Sequence, residues 1–403
     1  MVISAPYIHQ THTTSIRELL ETASLYLHIP FCHTRCHYCD FNTYAGILPL
    51  REPYVRALLT EIELAGKLAR HADGKPRRSR TIYFGGGTPS LLTVTQITRL
   101  LNACRKAFAV DEDAEITLEA NPGTLCLQQL AGLRAAGVNR LSMGAQSFDA
   151  ELLKTLGRIH SPGDIVQALR NAYAAGFTSI NLDFMFGLPG QTMRHWQETL
   201  DQALALHPEH FSLYSLIIEE GTAFYTWTHE GRIAPADEDL CADMYEYADE
   251  CLQREGYENY EISNWALPGY QSRHNLTYWQ NLPYLGMGAG AHSCFGGRRF
   301  SNILDPQKYI NLLEKQQRPE AESETIDRVQ EMSETAFLAL RTAQGLHLPA
   351  FEERFAEAFT HFAGDRLRIV EEAGLLEQKQ DWLRLSKRGR LLGNEVFLRL
   401  LPD

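Results

Sequence analysis

From residue 25 to about residue 220, short apolar runs alternate with amphipathic stretches of helical length, and this alternation constrains the fold of the 403-residue chain more than any other feature. The strand candidates are residues 25–29 (LYLHI), 81–84 (TIYF), 115–119 (EITLE), 140–143, 179–184 and 211–216. Helical patterns at 53–69, 95–108, 125–136 and 162–175 lie between them, the last closing on Gly176, a natural helix C-terminus. Strands separated by helices predict βαβ units and a parallel sheet. Six such units predict an α/β fold with an open, partial barrel of the TIM type rather than a closed eightfold one. Ligands of such folds gather at the C-terminal ends of the strands. The polar motifs described below are all expected there.

Beyond residue 220 the pattern changes. Residues 236–254 read as a long acidic amphipathic helix, and 257–297 are rich in Tyr, Trp, Asn and Gly with little helical period. From about 325 a separate small domain is expected: helices at 328–342, 349–358 and 364–373, two short strands at 375–378 and 382–385, then a helix from Ser386. Helices followed by a hairpin suggest an α+β module of winged-helix type. The expected organisation is therefore a tail (1–24), a barrel (25–235), an extension (236–324) and a C-terminal domain (325–403). A chain of this length is expected to split in some such way.

Net charge is -12, and the densest basic run, residues 75–80 (KPRRSR), reads as a solvated loop. A nucleic-acid partner would need a larger positive footprint. No run of about 18 apolar residues is present, so no transmembrane helix is expected. Residues 1–24 lack the basic and apolar segments of a signal peptide, which makes the cytoplasm the expected compartment.

Three of the eight cysteines fall within eight residues, in LYLHIPFCHTRCHYCDFNTY. A disulfide framework would spread them out, whereas this clustering points to metal. Cys32, Cys36 and Cys39, spaced Cys-x3-Cys-x2-Cys after a strand, place three thiolates on one tight loop. Three thiolates satisfy three irons of a [4Fe-4S] cubane and leave the fourth to a non-protein ligand. S-adenosylmethionine suits that corner through its amino and carboxylate groups. The competing reading is a structural zinc with His28, His33, His37 or Asp40 as fourth ligand, but zinc sites generally add a second, distant cysteine pair. The scattered Cys104, Cys126, Cys241, Cys251 and Cys294 read as small buried hydrophobes.

Further polar groups follow along the chain. Gly85, Gly86, Gly87, Thr88 and Pro89 come directly after the TIYF strand, where glycines let backbone approach a charged small molecule; a plain sharp turn is the alternative. Glu119 ends EITLE, a position suited to ribose hydroxyls, although a surface or helix-capping acid is the bland reading. Gln146 in SMGAQSF, Arg158 and Asp183 in NLDFMFGLPG complete the set.

YLHIPFC, GGGTPS and NLDFMFGLPGQT together resemble the radical S-adenosylmethionine enzymes related to oxygen-independent coproporphyrinogen III oxidase, from about residue 25 into the C-terminal domain. The resemblance implies Cys32, Cys36 and Cys39 as cluster ligands, and Tyr26, Tyr38, Gly86, Gly87, Thr88, Glu119, Gln146, Arg158 and Asp183 as cofactor contacts. Two details are similar to the HemW branch, the heme chaperones. Phe41 stands where the oxidase carries a fourth cysteine, and the oxidase's longer N-terminal extension is lacking. A third is HNLTYW (residues 274–279), which matches the HNxxYW motif of that branch; YLGMGAGAHS follows. The implied function is binding heme and passing it to acceptor proteins, with oxidation of coproporphyrinogen III as the alternative and a radical methylase or heme-degrading enzyme as a third possibility. The resemblance also leaves room for an electron donor and a homodimer; no catalytic residue is assigned. A neutral His274 imidazole is a candidate iron ligand, with Tyr278 and Trp279 offering flat faces to the porphyrin. His292 and Cys294 are rivals for the iron. Otherwise these residues cap the barrel, with His274 hydrogen-bonded to backbone.

Overall fold

The computed structural model describes residues 15–400. One sheet of twelve strands organises everything before the C-terminal domain. Six of its strands follow the expected alternation: β1 (Ser24–Ile29), β2 (Arg78–Gly86), β3 (Ala109–Ala120), β4 (Arg140–Gln146), β5 (Ile180–Phe186) and β6 (His210–Ser215). They pair parallel in chain order. Helices Arg51–Leu68, Val94–Ala107, Leu127–Ala136, Pro162–Ala174 and Met193–Leu204 connect them. Several start where side chains satisfy the first free amides. Thr93 and Gln96 form a reciprocal capping box, and Ser161 caps a helix that has Pro162 in its first turn. With helices on one side and ligand-facing groups on the other, β4 is buried along its whole length.

The remaining strands are β7 (Glu258–Glu261), β8 (Asn264–Ala266), β9 (Tyr284–Met287), β10 (His292–Phe295), β11 (Arg298–Asn302) and β12 (Glu320–Thr325). The sheet order is β12-β11-β10-β9-β1-β2-β3-β4-β5-β6-β8-β7. A seventh parallel strand, β9, therefore lies beside β1, with Ser24 opposite Tyr284 and Leu27 opposite Met287. It comes from the stretch that reads as irregular in sequence. Gly286 explains the close packing there, since a Cβ on it would lie 2.1 Å from the His292 carbonyl oxygen. The same stretch holds a short helix, Arg273–Trp279, capped by Ser272.

Two further expectations are corrected. The proposed tail of residues 1–24 lies outside the described residues up to residue 14, but Ile16–Leu20 form a helix capped by Ser15, and β1 begins at Ser24. The basic run is not simply a solvated loop, because Arg78 opens β2. Its charge is met by acids: Arg77 bonds Glu21 at 2.6 Å and Arg78 bonds Asp111 at 2.7 Å.

The C-terminal domain has its own apolar core, around Phe351, Phe359, Leu385 and Val396. Helices Arg328–Leu340, Leu348–Phe355, Phe359–Ala363 and Asp365–Glu372 precede the hairpin of β14 (Leu376–Lys379) and β15 (Trp382–Leu385); a two-residue strand, β13 (Leu346–His347), joins β15. The domain meets the edge of the large sheet at the β-bridge between Glu261 and Thr342, where the Ala343 amide donates to the Tyr260 carbonyl at 3.0 Å, and at the Arg299–Glu334 ion pair of 2.7 Å. Among the described residues no helix is long and apolar enough to cross a membrane.

Candidate cluster and cofactor site

After β1 the chain makes one self-contained excursion. Phe31–Cys32 pairs parallel with Tyr44–Ala45, so residues 33–43 form a loop closed at its base. His37 pins it from outside: its amide donates to the Leu156 carbonyl at 3.0 Å and Nδ1 to the Thr155 carbonyl at 2.9 Å. Cys32, Cys36 and Cys39 are all half-buried on this loop. Thr88 Oγ1 and Thr43 Oγ1 lie 3.7 Å from the sulfurs of Cys32 and Cys39, and Arg158 donates to Cys36 Sγ at 3.4 Å. Burial pushes the Cys32 and Cys39 thiols up from their ordinary value. Burial likewise raises the Tyr38 phenol, against the field of Arg158; its ring packs 6.4 Å from Phe224.

Three soft donors with a cation and two hydroxyls around them suit an iron–sulfur group. The space beside them is shaped by glycine: a Cβ on Gly87 would lie 3.0 Å from Cys32 Sγ and 2.7 Å from the Phe31 carbonyl. Among the described residues no group of three His, Cys, Asp or Glu side chains is placed to hold a single metal ion. Phe41, 63% exposed, supplies no fourth thiolate.

The neighbouring strand ends carry most of the remaining polar set. Gly86 takes φ +111°, and a Cβ there would collide with the His28 ring at 2.5 Å. Its amide donates to Glu119 Oε2 at 3.0 Å, while Tyr83 donates to Glu119 Oε1 at 2.8 Å. Burial pushes the Glu119 carboxyl up to about 7 and that of Asp183 up to about 6. Gln146 closes β4 at φ +67°, where the register with β5 shifts. Asp183 stands within β5, opposite Gly144, rather than at the strand end, and bonds Asn181 at 2.6 Å. Arg158 reaches in from beyond helix Ala150–Thr155, donating to the Gly144 carbonyl at 2.7 Å and to Asn121.

Asn121 was not singled out from sequence, yet it joins Arg158 to Thr88, to whose Oγ1 it donates at 3.0 Å. Its place two residues after Glu119 was the available signal. Tyr26 faces the same space. Its hydroxyl lies 3.0 Å from His28 Nδ1, and because His28 Nε2 donates to the Asn42 carbonyl at 2.9 Å, Nδ1 is the acceptor for Tyr26.

Asn275, Tyr278 and Trp279 of HNxxYW line one small cavity, but His274 does not join them. His274 is buried beneath the barrel opening, stacked 4.9 Å from Tyr83, with Nδ1 2.8 Å from Thr81 Oγ1 and Nε2 2.9 Å from the Tyr278 hydroxyl. Burial pushes it down to about 3, so it is neutral. Its bonds go to side-chain hydroxyls instead of a backbone carbonyl, and neither nitrogen is open to an iron. Tyr278 also lines a wider mouth at the strand ends, and Trp279 also faces the C-terminal domain, where Arg341 lies over its ring. The mouth is a cavity of about 690 Å³ whose wall includes Tyr26, His28, Glu119, Tyr278, Tyr284 and the exposed His292. Of the three candidate iron ligands, His292 is the one on this wall.

Comparison with known proteins identifies the family. Residues 26–203 match the radical SAM superfamily model, and residues 326–392 match that of the HemN C-terminal domain. "Heme chaperone HemW" of Bacillus subtilis (strain 168) is 39% identical over 381 residues, covering 94% of this chain and 99% of that protein. The protein of the same name in Escherichia coli (strain K12) is 38% identical over 399 residues, covering 95% and 99%. Among solved structures, coproporphyrinogen III oxidase (HemN) from Escherichia coli superposes with a TM-score of 0.81 at 26% identity, covering 94% of this chain and 90% of the oxidase.

Proposed function

The chain belongs to the HemW family of radical SAM proteins, and on that premise we propose that it is a heme chaperone, binding heme in the barrel mouth and handing it to acceptor proteins. The observation that carries this reading is the mouth itself. Its volume, about 690 Å³, falls within the range of about 300–1,000 Å³ common for ligand pockets. Two tyrosine rings, Tyr278 and Tyr284, stand edge to face 4.7 Å apart on its wall, and an exposed imidazole, His292, faces the same space. We assign the iron ligand to His292. His274 then has a positioning role, holding the Tyr278 hydroxyl.

Cys32, Cys36 and Cys39 would hold three corners of a [4Fe-4S] cluster, with exchangeable S-adenosylmethionine at the fourth. When bound and reduced, such a cluster supplies an electron to the sulfonium of that ligand. The chain's own residues hold and orient. Arg158 neutralises charge at Cys36, the Gly86–Gly87 backbone admits the ligand's amino-acid end, and Asn121 holds the Thr88 hydroxyl beside it. Glu119 and Asp183 accept hydroxyl groups, Gln146 offers its amide, and Tyr26 and Tyr38 border the space. The proposed setting is the cytoplasm, where thiols stay reduced.

The likeness to coproporphyrinogen III oxidase favours a second reading, oxidative decarboxylation of a porphyrinogen in the same mouth. Against it stands Phe41, exposed on the cysteine loop where the oxidase carries a further thiol. Direct hand-over tests the chaperone reading. Heme-loaded protein is mixed with increasing apo-cytochrome of b type, and the transfer rate should rise with acceptor concentration. A rate independent of the acceptor would mean simple dissociation and would remove the reading.

A further inference from the structure

Behind Tyr278 lies a second cavity, of about 340 Å³, whose wall includes Glu261 and Arg341, and each of these two residues carries a buried polar atom that nothing bonds among the described residues. Glu261 ends β7. Its Oε2 accepts from the Ser263 amide at 3.0 Å, but its Oε1 has no partner among the described residues. Arg341 caps the C-terminus of helix Arg328–Leu340, and its Nε is buried and equally without a partner. The contact between the two domains brings them together, because Glu261 pairs with Thr342, the residue after Arg341.

A buried donor and a buried acceptor left unpaired on two residues that line one cavity destabilise a fold unless something satisfies them. A bridge must offer a donor to Glu261 and an acceptor to Arg341. A carboxyl group does both: its hydroxyl donates to Oε1 while its carbonyl accepts from Nε–H. Water could also span the gap in a cavity this large. The rest of the wall favours an organic acid carried on an aromatic body. Trp279 and Tyr278 line the space, and the Arg341 guanidinium sits 5.9 Å from the Trp279 ring centroid. Tyr278 also belongs to the mouth, so a ligand seated there has this cavity at its edge.

We propose that this cavity is the carboxyl pocket of the heme site, receiving one propionate of a heme held in the mouth, with Arg341 as donor and Glu261 sharing the propionate's proton. The proposal rests on the heme reading above. Burial pushes Glu261 up to about 7, which suits a shared proton near neutrality. One consequence is that the C-terminal domain forms part of the ligand site through Arg341.

The test compares iron protoporphyrin with its dimethyl ester, titrated into the reconstituted full chain. Wild type should bind the diacid roughly tenfold more tightly than the diester, the change expected when one buried donor–acceptor bridge is lost. Arg341→Gln should bring the two affinities together, chiefly by weakening the diacid, and Glu261→Gln should reduce the difference. Arg341→Lys keeps the charge and the stem over Trp279 but lacks Nε–H; it should also lose most of the preference, and it guards against a folding defect in the glutamine variant. A preference unchanged in both Arg341 variants would overturn the proposal and leave water as the bridge, and so would equal wild-type affinities for the two porphyrins. If wild type bound neither, the heme reading would fall with it.

Discussion

His274 and Tyr278, one helical turn apart, bond each other at 2.9 Å, and Thr81 occupies the other imidazole nitrogen at 2.8 Å. In this structure the histidine of HNxxYW is buried with both ring nitrogens hydrogen-bonded to hydroxyls. The ring is held between β2 and the short helix Arg273–Trp279, whose first amides Glu115 accepts at 2.9 and 3.0 Å.

Removing that imidazole should cost stability rather than iron ligation. His274→Ala leaves the Thr81 and Tyr278 hydroxyls without their partner and opens a void, an effect of about 2–4 kcal/mol. The denaturant midpoint should fall, while the heme-bound spectrum keeps the features of imidazole ligation. His292→Ala should do the reverse. Loss of those features in His274→Ala alone would return the ligand role to His274.

Gly87 sets the space beside the cysteine loop. In Gly87→Ala the new methyl meets the Phe31 and Ile29 carbonyls and Cys32 Sγ at 2.7–3.0 Å, and two of these three are backbone that has little room to move. Iron and sulfide per chain after anaerobic reconstitution should fall to a minor fraction of the wild-type value. Gly163→Ala, whose nearest neighbour would be Ser161 Oγ at 3.7 Å, should load normally. Equal loading in both variants would show that the space is not set by Gly87.

Glu61 gives a pH-dependent stability with a definite sign. It is buried, accepts from Tyr309 at 2.5 Å, Asn302 at 2.6 Å and the Gly288 amide at 2.7 Å, and burial pushes it up from 4.5 to about 7. Between those values the folded chain holds a proton that the unfolded chain has lost. Stability from this group therefore falls as pH rises through that window, by up to ~1.4 kcal/mol per pH unit, and levels off above about 7. Thermal midpoints of the cluster-free protein at pH 5.5 and 7.5 should draw closer together in Glu61→Gln than in wild type. An undiminished gap in the variant would contradict the assignment.

The six parallel strands from Ser24–Ile29 to His210–Ser215 were legible because each combines an apolar run with a flanking helix of ordinary length, and the C-terminal hairpin because its strands alternate around a turn. The cysteine loop was legible because thiolates at that spacing have few other uses. Strand β9 was not, since its pairing with β1 joins residues more than 250 positions apart and depends on glycines that read as loop; Gly288 packs against the His28 carbonyl and the Tyr54 hydroxyl. Helix Arg273–Trp279 is too short to show a period. Its burial of His274 depends on Thr81 and Glu115, which no local pattern links to it. Asn121 and the Glu261–Arg341 pair were hidden for the same reason, since their roles arise only from contacts across the fold.

What the mouth does with a porphyrin separates heme carriage from porphyrinogen oxidation most directly. Anaerobically reconstituted protein, supplied with S-adenosylmethionine and a reductant, should be titrated with heme by its Soret band and, in parallel, incubated with coproporphyrinogen III. One heme bound per chain with no protoporphyrinogen formed is the predicted result. Turnover of coproporphyrinogen to protoporphyrinogen, or no saturable heme binding, would contradict it.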